Sequence, residues 1–91
     1  MTDKYYKLYE ELTEISKEIL YYYDIDKIKP YAVYIWTKPC NDDDDGENVF
    51  DINPDKIVFY NKEHKIIEEA LPVINSIQCR LKEIEIYLKG K

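Results

Sequence analysis

The chain has 91 residues, a net charge of −6 and a 45% share of hydrophobic residues, which favours a single domain over residues 1–91 with its own core. The acidity argues against direct binding to nucleic acid or to an anionic membrane surface, because both need a basic face. No apolar run approaches the roughly 20 residues of a membrane span, and residues 1–6 lack the apolar stretch of a signal peptide. We therefore expect a cytoplasmic protein, in the host cytoplasm if the source is a virus.

Residues 3–23 are predicted to form the first helix. Apolar residues recur there at spacings of three and four, with no Gly or Pro between them, which is typical of a helix with one buried face. This stripe consists of Tyr5, Leu8, Leu12, Ile15, Ile19 and Tyr22. The pattern ends at Asp24, and residues 24–30 are interpreted as a connection because Pro30 keeps Lys29 out of helical geometry.

Three strands are predicted to follow. Residues 31–37 are β-branched and aromatic, and both alternating sets are apolar, so each face of this strand needs a cover or a partner. Shorter strands are predicted at 49–52 and 57–60, joined by a turn at 53–56 in which Pro54 fixes φ.

Residues 61–89 are predicted to form a second long helix, with Asn61 as its cap. Its stripe of Ile67, Ala70, Ile74, Ile77, Leu81, Ile84 and Leu88 stays in phase across Pro72, which predicts a kinked helix or two abutting helices. The predicted fold class is α+β. Two long amphipathic helices, N- and C-terminal, pack on a small three-stranded antiparallel sheet in the order α-β-β-β-α.

The net charge is confined to one part of the chain. Residues 39–55, here the acidic segment, carry seven carboxylates and no Lys or Arg, while the other residues carry 13 basic and 12 acidic side chains. The seven are Asp42, Asp43, Asp44, Asp45, Glu47, Asp51 and Asp55. Residues 39–48, here the acidic loop, are predicted to connect the first two strands.

The acidic loop has three interpretations. Closely spaced carboxylates resemble the spacing of phosphates, so the loop could occupy a nucleic-acid-binding groove on a basic partner protein. Asn41, Asp43, Asp45 and Gly46 match the first positions of a calcium-binding loop, but Ile52 stands where the bidentate Glu is needed, which leaves weak Ca²⁺ or Mg²⁺ binding. The third interpretation is a solvated loop that keeps the chain soluble.

Three large side chains outside the acidic residues are candidates for a contact surface. Tyr21 falls on the polar face of the first helix, and Ile86 is similarly out of place on the second. Trp36 shares a strand face with Tyr34, where core packing is the ordinary expectation and a binding anchor the alternative.

The sequence offers no catalytic motif. Cys40 and Cys79 lack CxxC spacing, His64 is the single imidazole, and a thiolate beside four aspartates is electrostatically disfavoured. We therefore expect no enzyme, no catalytic residues, no dedicated metal site and no cofactor.

These observations together predict a small acidic protein-binding module that acts as an inhibitor or antidote on a basic, nucleic-acid-handling partner. Anti-defence proteins such as anti-CRISPRs, and immunity proteins, are examples of that class by physical analogy alone. The predicted partner-binding residues are Asp42, Asp43, Asp44, Asp45, Glu47, Asp51, Tyr21, Trp36 and Ile86. The alternatives are a homodimeric structural or regulatory subunit and a weak cation-binding protein.

Overall fold

The computed structural model describes residues 3–37, 46–60 and 65–90. Its elements, in chain order, are helix α1 (Asp3–Ile19), strands β1 (Asp24–Lys29), β2 (Ala32–Trp36), β3 (Asn48–Ile52) and β4 (Ile57–Phe59), a 3₁₀ turn (Glu68–Ala70) and helix α2 (Leu71–Lys89). The α+β class with N- and C-terminal helices on an antiparallel sheet is confirmed, although the sheet has four strands where the sequence predicted three.

The sheet is an antiparallel meander in the order β1-β2-β3-β4, so each strand pairs with the next one along the chain. The two helices lie antiparallel on one face of this sheet. Arg80 in α2 contacts Glu11 in α1 at 3.3 Å, and the Lys4 ammonium near the start of α1 lies over the ring of Tyr87 near the end of α2. The other face, here the open face, has no helix against it among the described residues.

The interpretation of residues 24–30 as a connection is wrong, because residues 24–29 form β1. Ile25 and Ile28 are three residues apart, which does not fit the two-residue repeat of a strand. A β-bulge between Ile25 and Lys27 supplies the extra residue, so Ile25 pairs with Ile35 and Ile28 with Val33. Both isoleucines thereby face the helices.

Helix α1 ends at Ile19, four residues earlier than predicted. The backbone N–H groups of Leu20, Tyr21 and Tyr22 donate to carbonyls three residues back, which is the tighter winding of a terminal turn. This turn reverses the chain so that β1 can begin at Asp24, and it leaves the Tyr23 side chain buried.

The second helix begins at Leu71, so the predicted kink at Pro72 is wrong, whereas the alternative of two abutting helical segments is closer, since the 3₁₀ turn at Glu68–Ala70 directly precedes α2. Pro72 lies in the first turn of α2, where its missing N–H has no carbonyl to bond within the helix. Residues 65–67 precede the 3₁₀ turn without regular structure. The predicted helix start and the Asn61 cap lie outside the described residues.

The core lies between the helices and the covered face of the sheet. Helix α1 contributes fully buried residues at Leu12 and Ile19, and α2 contributes Ile74, Ile77, Leu81 and Ile84, all from the two predicted stripes. The sheet contributes Val33, Ile35, Phe50 and Ile52, which alternate along β2 and β3 as a strand pattern requires. Neither described helix is long and apolar enough to cross a membrane.

Candidate partner-binding face

Thr37 and Glu47, on either side of residues 38–45, are held together at a narrow neck. The backbone N–H of Thr37 donates to the carbonyl of Glu47 at 2.8 Å, and the N–H of Glu47 donates to the Thr37 hydroxyl at 2.9 Å. Gly46 has φ of +76°, and a Cβ there would lie 2.6 Å from the Thr37 carbonyl oxygen. Only glycine fits this close approach without strain. The neck therefore fixes where the acidic loop leaves the sheet.

The neck lies at the end of the sheet that is next to the C-terminus of α1. Asp24, the first residue of β1, pairs with Trp36, the last residue of β2, and Trp36 also pairs with Asn48 at the start of β3. The start of α2 lies at this end as well, because the Ile67 N–H donates to the Tyr23 hydroxyl at 2.7 Å. We call this end of the molecule the loop end.

The loop end is rich in exposed apolar surface. Six large hydrophobic side chains there are exposed: Leu20, Tyr21, Phe59, Tyr60, Ile67 and Leu71. Aromatic contacts also connect this exposed surface with the core, because the buried Phe50 ring contacts the exposed Phe59 ring and, edge-on, the Tyr23 ring. Exposed aromatic side chains next to a charged loop are typical of protein-binding surfaces.

The open face carries the second part of the site. Alternation along β2 places Tyr34 and Trp36 on this face, and residues directly opposite in neighbouring strands share a face. Asp24 therefore lies beside Trp36, and Asp51 beside Tyr34. The open face thus presents carboxylates and aromatic rings side by side, continuous with the neck of the acidic loop.

Asp51 is tied into a polar network on this face. Its carboxylate accepts a hydrogen bond from the Tyr60 hydroxyl at 2.5 Å, and the Asn48 amide lies 3.4 Å from its other oxygen. Only 7% of Asp51 is exposed. The hydrogen bond to Asp51 raises the pKa of the Tyr60 phenol, since it holds the proton on the hydroxyl. Asp51 thus orients Tyr60 over the face.

The far end of the open face is basic. Lys27 pairs with Tyr34, and Lys29 pairs with Ala32 at the β1–β2 turn. The Lys29 ammonium lies 5.7 Å from the centre of the Tyr34 ring, a cation–π contact. Negative charge therefore lies at the loop end of the open face and positive charge at the opposite end. This charge separation would orient a bound partner.

The structure brings some of the predicted site residues together and separates one. Trp36 and Asp51 lie on the open face, Glu47 lies at the neck, and Tyr21, with 81% of its surface exposed, lies in the turn at the loop end. Ile86 is 61% exposed but lies fifteen residues beyond the start of α2, about 22 Å along the helix axis. Ile86 borders a groove with Lys4 and Leu8 instead.

Several predicted residues lie outside the described part of the chain: Cys40, Asn41, the four aspartates Asp42–Asp45 and His64. The docking and calcium interpretations of the acidic loop therefore remain predictions. Within the described ranges, no cluster of three or more His, Cys, Asp or Glu side chains could hold a metal ion.

The sequence reasoning missed Asp24, Asp26 and Tyr60 as residues of this face. The two aspartates belong to β1, which the sequence did not reveal, and Tyr60 joins the site through its bond to Asp51. The alternation Asp24-Ile25-Asp26 was the available signal, but the bulge after it interrupts the pattern.

Comparisons with protein-family models, with curated proteins and with solved structures give no match to this chain.

Proposed function

We propose that this chain is a small acidic protein-binding module, an inhibitor or antidote that docks on a basic, nucleic-acid-handling partner. The observation that carries the proposal is the confinement of the net charge to residues 39–55. The rest of the surface is nearly balanced, so an oppositely charged partner would be steered toward one place on the molecule.

The geometry around the acidic loop supports this proposal. The neck at Thr37 and Glu47 lies at the same end of the sheet as exposed Tyr21 and half-buried Trp36, so the charged segment joins the sheet beside these rings. Charge alone gives fast but weak encounters, whereas buried aromatic anchors supply most of the affinity of a stable interface. Such a module needs a charged loop that attracts the partner and, beside it, aromatic side chains that hold the partner once it is bound.

The test is capture of partners from the native host by the purified chain, compared with a variant carrying Asn at positions 42–45. A matched control carries Asn at Asp3 and Gln at Glu10, Glu14 and Glu83, four exposed carboxylates away from the loop end. Both variants change the net charge from −6 to −2, so they differ only in where the charge is lost.

We expect the captured partner to be lost with the loop variant and kept with the control. Four ion pairs at roughly 0.5–1 kcal/mol each correspond to a decrease in affinity of about 30- to 1,000-fold. Added duplex DNA or RNA should displace the partner, because the acidic loop is proposed to occupy its nucleic-acid site. Equal capture by wild type and loop variant at low salt would refute the proposal.

A further inference from the structure

A groove opens at the edge of the sheet, next to the neck of the acidic loop. It is lined by Asp24, Ile25, Asp26, Trp36 and Thr37 and has a volume of about 210 Å³. This is below the roughly 300–1,000 Å³ of a pocket for a small-molecule ligand. Its size suits one side chain of a protein partner.

The groove lies at a β-bulge, because Asp26, the bulge residue, is one of its lining residues. The pairing of β1 with β2 skips Asp26, which therefore has no residue directly opposite in β2. A second bulge lies between β2 and β3, where Ile35 pairs with Phe50 but Trp36 pairs with Asn48. Bulges bend a strand and redirect side chains, and here the unpaired residues, Asp26 and Val49, lie in the two strands beside β2, near the partners of Trp36.

The chemistry of the lining is that of a receptor for a flat cation. Asp24, Asp26 and Trp36 all line this groove, and no basic residue of the described part lines it. Neither carboxylate forms an ion pair with any residue that the structure describes, whereas Lys82 and Arg80 neutralise acidic groups elsewhere. The groove therefore keeps two negative charges beside an aromatic surface.

We infer that this groove binds an arginine side chain of the basic partner. A guanidinium is planar, so it stacks on an aromatic ring, and its fork of N–H donors matches carboxylate oxygens. A lysine ammonium has the charge without the flat surface, so it fits the groove less well. This inference rests on the proposed function, since it names which residue of the partner enters the site.

Trp36 is the single tryptophan of the chain, so its fluorescence reports directly on the groove. The probes are octaarginine and octalysine, which carry the same charge. Both peptides are titrated into wild type, D24N/D26N and the variant with Asn at 42–45. The control is E10Q/E14Q, which removes the same number of negative charges as D24N/D26N but from exposed positions of α1. Far-ultraviolet circular dichroism and urea unfolding check that each variant is folded.

We expect octaarginine to bind wild type about three- to tenfold more tightly than octalysine, the range of a cation–π contact. D24N/D26N should abolish this preference and weaken octaarginine binding by about tenfold, whereas E10Q/E14Q should keep it. W36F, followed by calorimetry, should also lose the preference while octalysine binding stays the same.

Three results would overturn the inference. Wild type could bind the two peptides equally, or D24N/D26N could keep the arginine preference. Calcium chloride alone could shift the Trp36 emission in wild type but not in D24N/D26N, which would assign the groove to a metal cation. The variant at 42–45 separates the two proposals: it tests the steering role of the loop, and loss of steering leaves the arginine preference of the groove intact.

Discussion

Ser16 is the one buried side-chain polar atom without a hydrogen-bond partner among the residues that the structure describes. It lies in α1 between the core residues Leu12 and Ile19 and is completely buried. Replacing it with alanine removes the unsatisfied hydroxyl and keeps the helix. We therefore predict that S16A makes the protein more stable.

The magnitude follows from three contributions. An unsatisfied buried hydroxyl costs about 1–3 kcal/mol in protein mutational data. Alanine is favoured over serine within a helix by roughly 0.5 kcal/mol. Against these, the missing oxygen leaves a void of about 10–15 Å³, which costs roughly 0.3 kcal/mol at 24 cal/mol per Å³. We take the lower half of the hydroxyl range and expect a net gain of about 1–2 kcal/mol.

The assay is urea unfolding followed by far-ultraviolet circular dichroism, with thermal unfolding beside it. The midpoint should increase without a change in m-value, and the Tm should increase by about 4–8 °C per kcal/mol in a chain of this size. T13A is the matched control. Thr13 is a hydroxyl residue of the same helix whose Oγ1 donates to the Tyr9 carbonyl at 2.9 Å. Losing that bond offsets the gain in helix propensity, so T13A should change stability little.

A decrease in stability for S16A would refute this reasoning. It would mean that the Ser16 hydroxyl contributes a hydrogen bond that stabilises the native state, such as one to a carbonyl four residues back in the helix. An increase of equal size in T13A would refute the attribution to the buried hydroxyl, because helix propensity alone would then explain both variants.

Three further predictions concern single contacts and are checked by urea unfolding. Y23F should destabilise the chain by about 1–2 kcal/mol, since it leaves the backbone N–H before α2 unsatisfied; an unchanged midpoint would contradict this. G46A should destabilise by about 1–3 kcal/mol, because its Cβ would meet the Thr37 carbonyl at positive φ, and equal stability would contradict the closed neck. A hydrogen bond from Lys82 and the attraction of its charge lower the pKa of Asp55. The small contribution of this pair to folding stability should therefore be present above the usual pKa of a carboxyl group and should be lost as the pH falls toward the lowered pKa. D55N should remove that dependence, and an identical pH profile would contradict the pairing.

The sequence by itself determined the two helices and most of the core. Leu12, Ile19, Ile74 and Leu81 follow a helical repeat, and that repeat is a local property which a chain of any topology would show. The position of the negative charge is also local, because counting charges along the chain needs no contacts. The tight turn between β3 and β4 was equally readable, since Pro54 constrains its own backbone.

Three features depended on the tertiary structure: that residues 24–29 form a strand, where α1 ends, and which residues belong to the candidate site. A strand is stabilised by its neighbour, and the bulge at Asp26 hides the two-residue repeat that would have revealed it. The same pairing places Asp24 beside Trp36, whereas the length of α2 carries Ile86 to the other end of the molecule. Proximity across strands depends on register, which is a non-local property, so residues far apart in the sequence became one face only when the sheet was assembled.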